Sequence, residues 1–192
     1  MGMTTEPDHG QMAIEDHVRE ILKILKVDLT AEQFRDTPKR IAGMAFELLA
    51  GMDEKNEPKL TLFKNTGYRD ILIVKDIPFY SLCAHHSLPM FGHVSVAYVP
   101  GKKIVGLSKL PRVVRFFSAR LQVQEEFTRG LTDYLHKKLE AEGVFVIVKA
   151  RHLCMEMRGA RTHDAETVSS AVRGVFDTRA STKAEALRLM TA

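Results

Sequence analysis

The sequence predicts an α+β protein in which antiparallel strands are backed by a pair of helices, with a helical region in front of them. Three observations support this prediction. Apolar residues recur at helical spacing near the N-terminus and again in two central segments. The segments that flank the central pair are β-branched, or they alternate between apolar and polar residues. The order strand, strand, helix, helix, strand, strand favours an antiparallel sheet covered by helices.

Two helices are predicted in the N-terminal third of the chain. Residues 14–25 place their apolar side chains on one helical stripe. The second helix is expected to begin at Thr37, a good N-cap, with Pro38 in its first turn. It should end at Gly51, because glycine commonly stops helices.

A polar stretch at residues 53–59 is the best candidate for a linker. It divides the chain into a predicted N-terminal helical region, 1–57, and a predicted second domain, 58–192. The length fits this organisation, because 192 residues suffice for one ordinary domain with a helical extension.

The first half of the second domain is expected to contain two strands and two helices. The first strand covers 71–79, a turn at Pro89 and Gly92 follows, and residues 94–98 alternate as a strand does.

The helical pair comes next along the chain. Its first helix is expected to start after Ser108 and run through Leu121. The second carries apolar residues at i, i+4 spacing over 127–139 and ends at Gly143.

The last part of the chain is predicted to return to strands. Residues 144–150 are apolar and mostly β-branched, which indicates a buried strand, and we expect it to extend to Met157. A further strand is expected at 167–176, and a short helix at 183–190, capped by Ser181 or Thr182, closes the chain.

Composition limits the class of protein. The longest apolar run, 144–148, is far too short to span a membrane, and residues 1–11 lack the apolar segment of a signal peptide. We therefore expect a cytoplasmic protein with no membrane partner. The net charge of +4 is mild, but basic residues concentrate between Lys102 and Arg129, which favours an anionic ligand such as phosphate.

Both cysteines of the chain lie beside histidines, in Cys-Ala-His-His (83–86) and His-Leu-Cys (152–154). Cys83, one histidine of the His85–His86 pair and Cys154 can supply three metal ligands of the kind that zinc prefers. Three protein ligands are typical of a catalytic zinc, because the fourth position is left for water.

The histidines divide by position. Adjacent residues point different ways in regular structure, so one of His85 and His86 binds the metal and the other is free to move protons; the spacing leaves open which. His152 and Cys154 would share one face of a strand, so His152 is expected to face the same pocket.

Six motifs, in this order, closely resemble those of the GTP cyclohydrolase I family. They are Thr-Pro-x-Arg (37–40), Ser-Leu-Cys-x-His-His (81–86), Val-Ala-Tyr-Val-Pro (96–100), Gly-Leu-Ser-Lys-Leu-x-Arg (106–112), Arg-Leu-Gln-Val-Gln-Glu (120–125) and His-x-Cys-Met-x-x-Arg-Gly (152–159). The resemblance extends from about residue 13 to residue 176, nearly the whole chain.

The resemblance implies a fold, a reaction and an assembly. The fold is the tunnelling fold, so that 58–192 becomes a tunnelling-fold catalytic domain. The reaction is the conversion of GTP and water to formate and 7,8-dihydroneopterin triphosphate, the first step of folate and pterin synthesis. Zn²⁺ is the implied cofactor, and the implied assembly is a homo-oligomer, a ring-like decamer with active sites between neighbouring subunits.

The resemblance also implies a role for each matching residue. The zinc ligands would be Cys83, His86 and Cys154. The catalytic residues would be His152, which protonates the purine for attack at C8, and His85 with Ser108, which serve the later opening and rearrangement of the ribose. The substrate-binding residues would be Glu125 and Gln124 for guanine, and Lys109, Arg112, Arg158 and Arg40, together with Ser108, for the ribose and triphosphate.

Two other functions fit part of the pattern. A related enzyme could stop at the ring-opened formamide or prefer another purine nucleotide. A non-catalytic zinc protein could use its basic surface for nucleic acid, but the phenylalanines among its basic residues fit helix cores better, so we expect no nucleic-acid partner. The sequence departs from the family pattern at Ala84 and Glu126, where glutamate and arginine are common.

Overall fold

The computed structural model describes residues 9–192, and residues 1–8 of the predicted N-terminal region lie outside that range. The described chain separates into two compact units, one ending at Ala50 and the other covering Gly51–Ala192. The predicted division into 1–57 and 58–192 stays a prediction about domain organisation.

The first unit is a pair of helices, α1 (His9–Ile24) and α2 (Thr37–Leu48), which pack against each other. Arg19 and Glu15 form an ion pair one turn apart on α1. Thr37 lies inside α2 rather than before it, and Asp36 occupies the N-cap position. Pro38 lies in the first turn as predicted, where its missing N–H costs no helical hydrogen bond.

The second unit is built on a mixed sheet. Among residues 51–192, the main sheet has the strand order β5-β2-β3-β6-β7. Its strands are β2 (Leu72–Cys83), β3 (Pro89–Val99), β5 (Leu121–Gln122), β6 (Gly143–His152) and β7 (Thr167–Gly174). The long strands pair antiparallel, and the two-residue β5 pairs parallel to the end of β2. A separate small sheet joins β1 (Leu62–Lys64) to β4 (Lys103–Val105).

Helices cover both faces of the main sheet. α3 (Lys109–Ser118) and α4 (Gln124–Leu139) pack on one face, against alternate residues of β3 and β6 such as Val96 and Val146. The intervening residues, such as Ala97 and Phe145, face a smaller core that includes residues of α6 (Val175–Thr178) and α7 (Ala180–Thr191). The structure therefore confirms an α+β fold with antiparallel strands backed by paired helices.

Several predicted boundaries were wrong. Pro89 and Gly92 do not form a turn; both belong to β3, where proline is tolerated because it is the first residue of the strand. The helix after Ser108 ends at Ser118, and Leu121 lies in β5. Phe176 belongs to α6 rather than to the last strand.

The most consequential correction concerns β6. This strand ends at His152 instead of continuing to Met157, and residues Leu153–Glu156 form one helical turn, α5. The β-branched run that predicted the strand stops at Val148, so the sequence carried no further strand signal beyond it.

None of the helices within residues 9–192 combines the length and the apolarity that a membrane span needs.

Candidate functional site

Cys83, His86 and Cys154 come together at one end of the main sheet. Cys83 is the last residue of β2, His86 lies in the turn between β2 and β3, and Cys154 lies in α5. One donor atom from each residue can be chosen so that all of them lie within 4.8 Å of one another. Cys83 is only 6% exposed, whereas His86 is exposed, so the cluster is anchored in the protein and open on one side.

Local hydrogen bonds fix the position of Cys83. The short strand β5 pairs with it through Gln122, whose side-chain Nε2 donates to Phe117 O (2.7 Å) and Ser81 Oγ (3.1 Å). The turn that follows is closed by the Ser87 N–H, which donates to Cys83 O (2.9 Å), with Ser87 at a positive φ of 52°. This turn carries His85 and His86.

The donor set fits zinc. In a tetrahedral zinc site with ordinary bond lengths, neighbouring sulfur and nitrogen ligands lie about 3.5–3.8 Å apart. Two thiols and an imidazole within 4.8 Å need only a small closure to reach that spacing. Sulfur and imidazole ligands also select zinc over magnesium and calcium, which prefer oxygen.

The surroundings of Cys154 oppose its ionisation. Burial, together with the hydrogen bond to Cys83, raises the pKa of the Cys154 thiol, while the charge of Arg158 acts in the opposite direction. A thiol whose ionisation is opposed by burial and by a neighbouring sulfur is stabilised as thiolate when a divalent cation binds.

Arg158 contacts the cluster through His86. Its Nη1 lies 2.8 Å from His86 Nε2, and since a guanidinium can only donate, the imidazole nitrogen accepts. A neutral imidazole has one free lone pair, so Arg158 and a metal ion cannot both use it. Metal binding at His86 through that lone pair would therefore break its contact with Arg158.

His85 and His152 have different surroundings. His85 is exposed, and its Nδ1 is 3.8 Å from Cys83 Sγ. His152 ends β6, and its Nε2 lies 2.8 Å from Gln124 Oε1. Burial lowers the pKa of His152, against the opposing charges of Glu125 and Glu156. The expectation that His152 and Cys154 share a strand face was wrong, because the chain turns into α5 between them.

An ion-pair clamp holds α5. Arg151 Nε and Nη2 donate to the two carboxylate oxygens of Glu156, at 2.8 and 2.6 Å, and Nη2 also lies 3.2 Å from Asp164. Glu156 is buried, and Arg151 lowers the pKa of its carboxyl. Since Arg151 belongs to β6 and Glu156 to the turn that carries Cys154, the clamp ties this ligand to the sheet.

We expect Arg151→Met to weaken zinc binding about tenfold, the lower end of what loss of a supporting contact costs a metal site. The cause is a looser α5 and a Glu156 carboxylate without its paired donor. A chelator competition titration of the purified protein would measure the affinity. Asp164→Asn is the matched control, because it removes only the partner whose side chain is 85% exposed, and it should leave the affinity unchanged. Equal affinities for all three proteins would contradict the clamp.

The predicted triphosphate residues are not all close to the cluster. The C-terminal end of α3 lies beside β2, because Ser81 Oγ donates to Arg120 O at 3.1 Å. A helix of 10 residues is roughly 15 Å long, so Ser108 and Lys109 lie at the remote end of α3, with Arg112 one turn further in. Arg40 belongs to the first unit, 3.8 Å from Asp36, and its role stays a prediction.

Glu125 and Gln124 are neighbours with opposite environments. Glu125 is exposed and lines a groove between α4 and β7 with Thr128, Arg129 and Ser169. Gln124 is 2% exposed, and its amide is hydrogen-bonded inside the protein. The sequence grouped the two as guanine contacts and did not reveal the support residues Arg151, Glu156 and Ser169. No sequence pattern marks their pairings: Arg151 bonds to Glu156, five residues on, and Ser169 bonds to Gln124, 45 residues before it.

Comparison with known proteins gives one consistent result. The family profile described as GTP cyclohydrolase I matches residues 14–191. A protein named GTP cyclohydrolase 1 from Aquifex aeolicus is 47% identical over 180 residues, which cover 92% of this chain and 95% of that one.

Further relatives carry the same name. The protein from Carboxydothermus hydrogenoformans is 44% identical over 178 residues, covering 92% of this chain and 93% of the relative. The protein from Geobacillus kaustophilus is 43% identical over 187 residues, covering 97% and 100% respectively.

Proposed function

The chain belongs to the GTP cyclohydrolase I family, and from that premise we propose that Cys83, His86 and Cys154 hold a zinc ion at which it hydrolyses GTP. It is an enzyme that converts GTP and water to formate and 7,8-dihydroneopterin triphosphate, in folate and pterin synthesis. The observation that carries the proposal is the convergence of the only two cysteines of the sequence with His86 on one open-sided cluster.

Zinc bound to these three residues would act as a Lewis acid that lowers the pKa of water towards neutrality, so that hydroxide is supplied for the two hydrolytic steps. The purine ring would approach this position from the exposed side of the cluster, where His86 lies. His152 would protonate the ring nitrogen next to C8, which makes C8 more electrophilic. His85, exposed beside Cys83, would move protons during the opening and rearrangement of the ribose, with Ser108 as its partner.

The remaining residues would bind the substrate. Glu125 presents a carboxylate to the groove beside α4, where it can accept paired hydrogen bonds from the N–H groups of a guanine edge. Arg158, released from His86 when the metal binds, would pair with the triphosphate. Lys109, Arg112 and Arg40 would add positive charge against the three to four negative charges of that group.

The separation of these residues supports shared active sites. Lys109 and Ser108 lie at the far end of α3 from Cys83 of the same chain, so one copy does not by itself surround a nucleotide bound at the cluster. A homo-oligomer in which a neighbour supplies the N-terminus of α3 resolves this, and the decamer implied by the family motifs is our proposal. A cytoplasmic location, and the absence of membrane and nucleic-acid partners, are likewise predictions.

His152→Ala tests the proposed division of labour. We expect the variant to retain zinc, since His152 bonds to Gln124 and lies outside the cluster of metal donors, but to lose GTP turnover by about a hundredfold or more, because a general acid is missing. Zinc content, formate release and the fluorescence of the oxidised pterin are the measurements.

The wild-type protein is the reference in that experiment. If zinc-loaded wild-type protein produced a formamidopyrimidine without formate, the enzyme would be one that stops after ring opening, and the proposed function would be wrong. Loss of zinc from the His152→Ala protein would instead move His152 into the ligand set.

A further inference from the structure

The side chain of Gln124 lies at the centre of a buried hydrogen-bond network. Its Nε2 is 3.1 Å from Val148 O, 3.0 Å from Thr167 O and 2.9 Å from Ser169 Oγ. Its Oε1 is 2.8 Å from His152 Nε2. Because the residue is only 2% exposed, solvent has little access to its side chain.

The orientation of this amide follows from its surroundings. Backbone carbonyls only accept hydrogen bonds, so the group that faces Val148 O and Thr167 O must be the NH₂ end. An amide flipped by 180° would place its oxygen against both carbonyls, with no proton between them. Oε1 therefore faces His152.

Two hydroxyls enforce the same orientation independently. Thr128 Oγ1 lies 2.7 Å from Gln124 O, an acceptor, so the Thr128 proton is used there. Ser169 Oγ, 2.6 Å from Thr128 Oγ1, must then donate to it, and turns a lone pair towards Gln124 Nε2, whose two protons are shared among Ser169 Oγ, Val148 O and Thr167 O. These hydrogen bonds form a closed ring with one donor direction: Gln124 Nε2 to Ser169 Oγ, Ser169 Oγ to Thr128 Oγ1, and Thr128 Oγ1 to Gln124 O.

This ring determines the protonation of His152. Oε1 of Gln124 can only accept, so the nitrogen that faces it, His152 Nε2, must carry a proton. In the neutral imidazole the lone pair is then on Nδ1. We propose that Gln124 is a positioning residue that holds His152 as the Nε2–H tautomer, so that Nδ1 is the atom that exchanges a proton with the substrate; the inference rests on the proposed role of His152 as the acid of the reaction.

Gln124 is thereby assigned to positioning His152 instead of to guanine recognition. The two amide protons of its side chain are directed to acceptors within the protein, and the side chain is almost fully buried. The adjacent Glu125 is exposed at the groove and keeps the guanine role. The two neighbours on α4 can therefore be tested against each other. Substitution of Gln124 should change the rate of the chemical step, and substitution of Glu125 should change the binding of GTP.

The experiment combines kinetics with ¹⁵N solid-state NMR of histidine-labelled, zinc-loaded protein, in which the His152 signals are identified by their absence in His152→Ala. In the wild type we expect a protonated Nε2 and an unprotonated Nδ1. Gln124→Met keeps the shape and removes the acceptor, so the His152 signals should show mixed tautomers. Its kcat should fall about tenfold to a hundredfold, with KM for GTP within about twofold of wild type.

Control variants separate this role from others. Glu125→Gln should raise KM for GTP and leave the tautomer of His152 unchanged. Ser169→Ala opens the ring but leaves Val148 O and Thr167 O to hold the Gln124 amide, so the tautomer of His152 and kcat should both stay close to wild type. If Gln124→Met does not fold, the wild-type spectrum is the test, because a His152 protonated on Nδ1 refutes the proposal.

Two results would overturn the proposal. One is a wild-type His152 protonated on Nδ1 instead of Nε2. The other is a Gln124→Met enzyme with raised KM and unchanged kcat, which would return Gln124 to guanine binding. If the wild type did not turn over GTP at all, the proposed function would fail, but the NMR spectra would still decide whether Gln124 sets the tautomer.

Discussion

Cys154→Ala should bring the zinc content of the purified protein to background and reduce GTP turnover by about a thousandfold or more. Within residues 9–192, Cys83, His86 and Cys154 form the group whose three donor atoms lie within 4.8 Å of one another, so the variant keeps only two of these donors, and His152 is bonded to Gln124. Loss of a metal that contributes several kcal/mol to the chemical step corresponds to a rate effect of this size. Elemental analysis and formate release would measure both quantities.

The fold should survive this substitution. Cys154 lies in the short α5 at the end of the sheet and is partly exposed, so removing its sulfur leaves the main cores of the sheet intact. Circular dichroism should be unchanged, and the His152→Ala protein, which is expected to keep its zinc, is the matched control for the metal measurement. Undiminished zinc in the Cys154→Ala protein would show that Cys154 is not a ligand.

Gly92→Ala should destabilise the protein on the order of 3 kcal/mol or more, enough to prevent folding of a marginally stable chain. Gly92 lies in β3 opposite Ala150 of β6, and a Cβ added there would stand 2.0 Å from Lys149 O and 2.9 Å from Ala150 Cα. These are backbone atoms of a paired strand, so relief requires the two strands to separate. The strands that would separate are those that carry His152 and support α5.

A second glycine provides the control for Gly92. In Gly130, on α4, an added Cβ would meet Phe117 Cε1 at 3.5 Å, an ordinary contact. Alanine is also the better helix former, so Gly130→Ala should be neutral or stabilise by up to about 1 kcal/mol. Denaturant unfolding of both variants measures the difference, and equal stabilities would contradict the close approach of β3 and β6.

The sequence predicted the main elements where their pattern is local. The stripe at 127–139 became α4, the β-branched run at 144–150 lies in β6, and the two clusters of cysteine and histidine supplied the donors of one candidate metal site. The predicted boundaries of helices and strands were wrong where no local sequence pattern marks them. Residues 153–156 leave the sheet for a single helical turn, and a glycine at position 92 looks like a turn in the sequence although it serves the close approach of two strands.

The sequence by itself determined the family and supplied the candidate metal donors and acid–base residues, because these depend on residue identity and on spacings of a few positions. Only the tertiary structure decided how those residues act. It placed the donor of His86 with those of both cysteines, turned Gln124 inward to His152, and set the N-terminus of α3 far from the cluster. The physical reason is that the direction of a buried side chain depends on partners distant in sequence: Gln124 is held by Val148, Thr167 and Ser169, which are 24 to 45 residues away.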